Sequence, residues 1–372
     1  MKKLIFTHFL IDTLKFFILM CLSLSLIVWV IQAVNYLDFI TEDGHGLYVY
    51  FLYTIHNLPK IIHKILPFVF FISLFYQINK YELKNELMIF WSIGINKSEF
   101  TKVILSYSLI FMVVQIILGS YISPLSQDKA RDYIRNSDID FFPSLFQEGK
   151  FIDTVKNLTI FISTENPIGA LNNIFLKEKI NSTKSRVIYA KKGFLNTSGN
   201  TKYLELFNGK IINNDEENIN SFTFDKLNFD LMKYTSKSIS FPKTQELSSY
   251  ILIKCLIYNS KGIKLDSKII NCNNDIIKNV REEIFSRFYK PIYIPLLSLL
   301  TCFIFFISKE SKKFSFYRSI IFLIGILVIV ISEVSLTYSV NSNFGMYSFI
   351  AFPLLSILIL YTLILKKIKN IK

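Results

Sequence analysis

Six blocks of apolar residues dominate the chain, three near each end. They cover residues 16–34, 65–78, 103–123, 291–307, 319–340 and 346–365. Most approach or exceed the roughly 20 residues with which a helix crosses a bilayer. The second block is short, but residues 47–76 are largely apolar and contain Pro59 and Pro67, so we predict a long, kinked span there. The pattern therefore predicts six transmembrane helices.

The middle of the chain follows a different pattern. Between about residues 124 and 280, short runs alternate apolar and polar residues with a period of two, and turn-forming pairs such as Asn208-Gly209 separate them. Several short strands at regular spacing predict an all-β sandwich or an open barrel. We therefore predict an α + β membrane protein in three parts: residues 1–123 with three helices and a cytoplasmic amphipathic helix near 81–97, residues 124–280 with the β domain and its connections, and residues 281–372 with three more helices.

The charge of the chain is explained by its topology. The 372 residues are 51% hydrophobic and carry a net charge of +14, which in a soluble protein would suggest nucleic-acid binding. If both termini are cytoplasmic, the inward-facing segments hold 15 basic and five acidic residues, whereas the short outer loops at 35–46 and 341–345 hold three acidic residues and no basic one. This is the positive-inside pattern of membrane proteins. It predicts cytoplasmic termini and a β domain on the outer side, and it removes the need for a nucleic-acid partner.

The chain offers little for catalysis. The stretch from Gly94 to Lys97 lacks the second glycine and the Ser/Thr of a phosphate-binding loop, so any nucleotide hydrolysis must occur on a partner. None of the four histidines falls in the β region, which excludes a Ser-His-Asp site there, and nothing in the sequence supports a metal site. Cys255 and Cys272 are 17 residues apart, and they could form a disulfide or remain separate thiols.

One basic cluster stands out in the second span. Lys60, His63 and Lys64 share a helix face near the outer headgroups. They could bind the phosphate of an anionic lipid, or the lysines could simply extend to the membrane surface. Glu333 lies toward the outer end of span five and needs a partner, for which Lys60 or Lys64 is eligible.

Two further stretches carry candidate roles. Residues 79–101 form an inward-facing segment in which an amphipathic helix ends near Gly94; it could dock into a partner's groove or rest on lipid headgroups. The candidate docking residues are Glu82, Glu86, Phe90, Trp91 and Gly94. Glu283 and Arg287 stand four residues apart just before span four, where they could form a simple ion pair or a hinge or gate at the domain junction.

Several segments together resemble the LptF/LptG permeases of lipopolysaccharide export, over essentially the whole chain. The run Asn85-Glu-Leu-Met-Ile-Phe-Trp-Ser-Ile-Gly94 is similar to the family's coupling-helix motif S-E-[LI]-x-x-[ML]-x-x-x-G, with asparagine in place of serine. Gln147-Glu-Gly-Lys-Phe151 with the strand after it resembles the family's G-x-F segment. Glu283-x-x-x-Arg287, followed by Pro291-Ile-Tyr-Ile-Pro295, resembles the entry to the fourth span. The resemblance implies a periplasmic β-jellyroll between helices three and four.

The resemblance also implies a mechanism, partners and a location. The chain would be a multi-pass permease of the bacterial inner membrane that pairs with a second, LptG-like permease. An LptB-like ATPase dimer, which alone would hold ATP and Mg, would grip the coupling helices. Lipopolysaccharide would pass from a cavity between the permeases into an apolar groove of the jellyroll, and then to LptC-like and LptA-like bridge proteins. No cofactor would be bound by this chain, and no bond would be made on it.

Within the family, the segments from Gln32 to Ile40 and from Ile134 to Asn136 resemble F-type more than G-type sequences. F-type proteins often carry basic residues at the outer end of the first span, where this chain has Gln32 and Asn35, which we count with Lys60, His63, Lys64 and Glu333 as candidate lipid-binding residues. That departure makes Lys60 and Lys64 candidates for replacing the missing charges at the lipid.

Two other functions fit parts of the sequence. A multi-span glycosyltransferase acting on a lipid-linked donor would use acidic residues in an outer loop, and Asp38, Glu42 and Asp43 cluster in the first one. Six spans are few for that class of enzyme. A different force-transmitting ABC permease is the second alternative, although its usual four spans fit this chain poorly.

Overall fold

A computed structural model describes most of the chain. It covers residues 2–37, 46–136, 148–155, 158–165, 170–179, 184–198, 201–214, 219–230, 243–260, 272, 274–307, 309–341 and 343–369. The chain divides into two compact units. The membrane unit comprises Met1–Gln32, Thr54–Ala130 and Pro242–Lys372, and the sheet unit comprises Ala33–Tyr53 and Arg131–Phe241. The acidic residues Asp38, Glu42 and Asp43 lie outside the described residues.

Six helical segments are long and apolar enough to cross a membrane, which confirms the predicted number of spans. They are Lys2–Asn35, Leu47–Leu83, Lys97–Ile134, Ile276–Phe306, Phe314–Val340 and Phe344–Lys369, called spans one to six below. Span two consists of two helices, Leu47–His56 and Leu58–Leu83, separated by a turn at Asn57. The second helix restarts with Pro59 in its first turn, where the missing N–H of proline has no helical partner to lose. Pro67 lies inside that helix.

Spans three and four contain irregular turns. In span three, a π-helical turn at Leu118–Ile122 joins the helices Lys97–Ile117 and Ser123–Asn136. Span four is made of the helices Asn274–Phe288 and Tyr293–Cys302, with 3-10 turns at Lys290–Ile292 and Phe303–Phe306. Every residue of its second helix is buried, so this span lies at the centre of the membrane unit. The helices of spans five and six are Phe314–Asn341 and Asn343–Lys369.

Two shorter helices complete the membrane unit. The coupling helix, Glu86–Ser92, follows span two and is shorter than the predicted segment near 81–97. It is bounded by Asn85 and Gly94, which both have positive φ angles and therefore turn the chain sharply at its two ends. The connecting helix, Ser249–Ser260, precedes span four and begins shortly after the 3-10 turn Thr244–Glu246.

The sheet unit contains six antiparallel strands that are hydrogen-bonded in sequence order. They are β1 (Phe151–Val155), β2 (Leu158–Glu165), β3 (Ala170–Lys179), β4 (Ser185–Ser198), β5 (Thr201–Asn214) and β6 (Ile219–Asp230). The alternating runs of the sequence all lie in these strands, which confirms the β region between spans three and four. The predicted turn at Asn208-Gly209 is wrong, because both residues lie inside β5.

A row of residues across the sheet explains how a single sheet encloses a core, as the predicted sandwich or open barrel would. The pairing of the neighbouring residues sets Asn173 of β3 opposite Lys191, Lys191 opposite Asn208, and Asn208 opposite Asp225 of β6. Asn173 and Asn208 have φ angles of 48° and 51°, a left-handed conformation that asparagine tolerates better than most residues. The turn signal at Asn208 therefore reports a real backbone irregularity, but within a strand.

The buried positions change face at this row. Along β3, Leu171 and Ile174 are both buried, although a regular strand would bury every second residue. Strand β5 shows the same change, since Leu204 and Leu206 are buried before the row and Ile211 packs against the core after it. Both halves of the sheet contribute to one apolar cluster. We conclude that the sheet is folded along the row, so that one meander encloses its own core.

Candidate functional site

A cavity of about 490 Å³ lies within the membrane unit, at the ends of its spans that are remote from the coupling helix. It is lined by parts of spans two to five and by the segment at 244–245. Five residues singled out from the sequence meet there, namely Lys60, His63, Lys64, Glu283 and Glu333. Gln32 and Asn35 are on the helix of span one and are not among the lining residues.

Glu333 forms an ion pair with Lys290, not with Lys60 or Lys64 as the sequence suggested. Lys290 is almost completely buried, so its charge needs a close counter-ion, and the partly exposed Glu333 supplies it. Sequence reasoning missed Lys290, although a single lysine before the apolar run at Pro291 is a usable signal. Within the described part of the chain, neither Lys60 nor Lys64 forms an ion pair, and both line the cavity.

The cavity wall at His63 depends on a glycine in span three. His63 is buried, and its ring lies so close to Gly119 that a Cβ on residue 119 would be 2.4 Å from the His63 Cε1 atom. Gly119 belongs to the π-helical turn, a local irregularity that often occurs at functional sites. The Nδ1 atom of His63 has no hydrogen-bond partner among the described residues. A residue larger than glycine would therefore push His63 out of place.

Arg287 connects span four to the segment that follows the sheet. Its side chain is 1% exposed, and its Nε donates a hydrogen bond of 2.8 Å to the Glu283 carboxylate. Nη1 donates to the Leu247 carbonyl and to the Ser249 hydroxyl, both at 2.9 Å, and Nη2 donates to the Gln245 carbonyl at 3.0 Å. The predicted ion pair is thus present, and the guanidinium also holds residues 245–249 in place. This geometry suits a structured junction, while a role as a gate stays a prediction.

The coupling helix presents a different face from the one expected. Phe90 and Trp91 are half-buried and pack inward, with the Trp91 ring 5.8 Å from that of Phe100. Lys97 fastens the segment by donating a hydrogen bond of 2.7 Å to the Phe305 carbonyl. The strongly exposed apolar residues of the coupling helix are Met88 and Ile89, and Ile93 just after the helix is exposed as well. The aromatic residues therefore anchor the helix, because rings of that size gain more from burial than from contact with water.

The two predicted acidic residues of this segment differ in their surroundings. Glu82 lies in the last turn of the span-two helix, half-buried, and its carboxylate accepts a hydrogen bond from the backbone of Lys309. Glu86 is the first residue of the coupling helix, where a carboxylate is favoured by the helix dipole. Glu86 is thus placed to take part in an exposed surface together with Met88 and Ile89.

A second cavity, of about 700 Å³, lies on one face of the sheet unit. It is lined by a ladder of aromatic side chains on neighbouring strands, Phe151, Phe161, Phe175 and Tyr189. The ring centroids of Phe151 and Phe161 are 4.6 Å apart, those of Phe151 and Phe175 are 5.9 Å apart, and those of Phe175 and Tyr189 are 5.1 Å apart. Cross-strand pairing sets Phe151 opposite Phe161 and Phe175 opposite Tyr189. Lys191 and Lys210 also line it, and none of its described lining residues is acidic. Below, this aromatic ladder with its two lysines is called the aromatic groove.

Comparison with known proteins agrees with this architecture. The family model for the lipopolysaccharide export system permease LptF/LptG matches residues 8–367. The chain belongs to the LptF/LptG permease family. A protein of Rickettsia prowazekii (strain Madrid E), described as uncharacterized, is 24% identical over 310 residues, which is 83% of this chain and 83% of that protein.

Membership in the permease family limits the range of functions that the chain can have. Together with six apolar helices, it supports a multi-pass protein of the inner membrane and a transporter subunit that is not itself an enzyme. The glycosyltransferase interpretation is not favoured, since the family match covers residues 8–367 of this chain. Among the described residues, no group of histidine, cysteine, aspartate and glutamate side chains could hold a metal ion.

Proposed function

We propose that this chain is the permease subunit of an ATP-driven transporter that takes lipopolysaccharide from the outer leaflet of the inner membrane and passes it toward the outer membrane. The observation that carries the proposal is the membrane-unit cavity, in which Lys60 and Lys64 are not engaged in ion pairs within the described chain. Two ammonium groups at the wall of a cavity near a membrane surface favour a phosphate group as the ligand. Lipid phosphates are the anions available at that depth.

The orientation rests on two observations. Cys255 and Cys272 are joined by a disulfide, and such bonds persist in oxidising compartments such as the bacterial periplasm. The ends of the spans on the side of the coupling helix carry the excess of basic residues, including Lys366, Lys367 and Lys369 in the last turn of span six. Both support cytoplasmic termini and a sheet unit in the periplasm.

The aromatic groove is a suitable surface for the lipid's acyl chains. The core between the two halves of the sheet is filled mainly with leucine and isoleucine side chains, and the groove is an accessible apolar surface of the described sheet. Its volume and aromatic lining are typical of sites for apolar small molecules, and Lys191 and Lys210 could contact the lipid's phosphates. Acyl chains would therefore lie along the rings during passage toward LptC-like and LptA-like bridge proteins.

The energy would come from a partner. We propose that the LptB-like ATPase dimer binds ATP and Mg. It would hold the coupling helix through Glu86, Met88 and Ile89, and also contact Ile93 just after the helix. An apolar face next to an acidic helix start suits insertion into a groove of another protein. A second, LptG-like permease would complete the complex, with this chain as the F-type subunit.

The decisive experiment measures the lipid held by the complex. The variant Lys60→Glu/Lys64→Glu would be purified with its partners, and the co-purified lipopolysaccharide would be quantified by mass spectrometry. We expect a loss of on the order of tenfold or more, because each reversed charge both removes an attraction and adds a repulsion to the phosphate. Lys80→Glu, on the same helix but at its other end, is the matched control and should retain the lipid.

Equal lipid content in Lys60→Glu/Lys64→Glu and in the unmodified complex would contradict the proposal. A loss that occurs equally with a lipid lacking its phosphates would show that the cavity recognises another part of the molecule. The phosphate assignment would then be wrong.

A further inference from the structure

The connecting helix, Ser249–Ser260, carries an apolar stripe that faces away from the protein. Its inner face is buried, with Leu252 and Cys255 in a small apolar cluster against span four. On its outer face, Tyr250, Ile253 and Ile257 are exposed, and Tyr250 is 75% exposed. These three residues are spaced three and four apart, so they form one stripe along the helix. Such a stripe of large apolar side chains is costly to leave in water.

The helix starts at the level where the membrane ends. Its first residue, Ser249, donates a hydrogen bond of 2.8 Å to the carbonyl of Ser120 in span three. From Lys102, an exposed cation near the opposite end of that span, 18 residues at 1.5 Å each give about 27 Å of helix. The hydrocarbon core is roughly 30 Å thick, so Ser120 and Ser249 lie close to its far boundary.

The apolar stripe starts beside exposed apolar residues of span three, because Ser249 is hydrogen-bonded to Ser120. Next to Ser120, the residues Tyr121, Ile122 and Leu125 of span three are exposed and apolar. Tyr121 and Tyr250 are both exposed at this level, where membrane proteins concentrate tyrosine because its ring is apolar and its hydroxyl is polar. The hydrogen bond between Ser249 and Ser120 brings the start of the stripe next to an apolar stretch of a membrane span, which favours lipid as the occupant of the stripe.

The charge and the attachment of the helix agree with that position. Lys254 is the one charged residue of the helix, and its Nζ lies 5.7 Å from the centre of the Tyr258 ring. A lysine beside an apolar stripe can reach the phosphate headgroups while its stem stays in apolar surroundings. The disulfide from Cys255 to Cys272 and the bond from Arg287 to Ser249 fix the helix at two points.

We propose that the connecting helix is an interfacial helix, with Tyr250, Ile253 and Ile257 inserted in the outer leaflet of phospholipids beside span three. The helix is apolar on both faces, and such a helix is normally buried on all sides, here by protein on one side and by lipid on the other. The proposal does not depend on lipopolysaccharide transport, since any bilayer surface would serve. The helix would give the junction between the sheet unit and span four a fixed depth in the membrane.

The test uses a photo-crosslinking amino acid, p-benzoylphenylalanine, in the full chain within membranes of expressing cells. It replaces Tyr250, Ile253 or Ile257 in turn, and mass spectrometry of the irradiated and purified protein identifies the adducts. Leu327, exposed on span five, is the control for lipid contact, and Phe222, exposed on β6, is the control for a surface in water. All variants must elute like the unmodified protein and keep their disulfide.

We expect phospholipid adducts at Tyr250, Ile253 and Ile257 with a yield similar to that at Leu327 and well above that at Phe222. Adducts mainly with another protein chain would overturn the proposal, because the stripe would then be an interface with a subunit. Phospholipid yields no higher than at Phe222 would overturn it as well, because the stripe would then face water. If one variant fails to fold, the other two positions still show whether the stripe contacts phospholipid.

Discussion

Replacing Arg287 by methionine should release the segment that joins the sheet to span four. Methionine keeps the apolar stem of the side chain, so the variant isolates the loss of the guanidinium. Arg287 is 1% exposed, and its four hydrogen bonds reach the Gln245 and Leu247 carbonyls, the Ser249 hydroxyl and the Glu283 carboxylate. All of these acceptors would lose a donor at once.

The expected cost follows from burial. Breaking a buried ion pair by removing one partner costs about 3–5 kcal/mol, and we expect the lower end because the Glu283 side chain is 27% exposed and water can solvate it. About 3 kcal/mol corresponds to a change of on the order of 100-fold in the equilibrium for opening the segment. Arg287→Lys should have an intermediate effect, because an ammonium group cannot reproduce the planar fork of a guanidinium.

Hydrogen–deuterium exchange in lipid nanodiscs measures this opening directly. The amides of Leu247, Ile251 and Leu252 donate to backbone carbonyls at 3.0 to 3.4 Å, so they exchange only when the segment opens. In Arg287→Met, peptides covering residues 244–252 should exchange on the order of 100-fold faster, while those from span five stay unchanged. Arg281→Met, a substitution in the same helix at a partly exposed position, is the matched control.

Unchanged exchange of residues 244–252 in Arg287→Met would refute the reasoning. Faster exchange in all spans together would also count against it, because Arg287 would then support the whole membrane unit and not the junction.

Two further substitutions test the cavity wall and the coupling helix. Gly119→Ala should lower the thermal stability of the purified protein, because the new Cβ would clash with the His63 ring. Adding His63→Ala to the same chain should restore part of the lost stability. If it restores none, the clash is not the cause of the loss. Ile89→Asp should abolish co-purification of the ATPase, because it places a charge in the proposed docking surface. The thermal stability should stay nearly unchanged, because Ile89 is 53% exposed. If the ATPase still co-purifies, this face of the helix is not the docking surface.

Much of the architecture follows from local patterns. Apolar blocks of about 20 residues specify membrane helices by themselves, and alternating runs specify half-buried strands, since each pattern reports burial within a single element. Glu283 and Arg287 are also predictable as a pair, because their spacing on one helix brings them together wherever the helix lies. The cavity could be anticipated in part, as Lys60, His63 and Lys64 lie on one helix.

The contacts that complete these sites depend on residues far apart in sequence. The pairing of Glu333 with Lys290 instead of Lys60 is one example, and the inward orientation of Trp91 toward Phe100 and Phe305 is another. A helical pattern shows that two side chains share a face, but it does not show whether that face meets protein or water.

The six spans and the β region follow from the amino-acid sequence alone, because each arises from the composition or period of a continuous segment. The basic residues predict which ends of the spans are cytoplasmic. The folded protein adds three features that no pattern predicts: Asn208 bends a strand instead of ending it, Gly119 makes room for His63, and Arg287 binds the segment at residues 245–249. These outcomes depend on backbone geometry and packing between distant segments. The free energy of such contacts is set by burial, which no local pattern specifies.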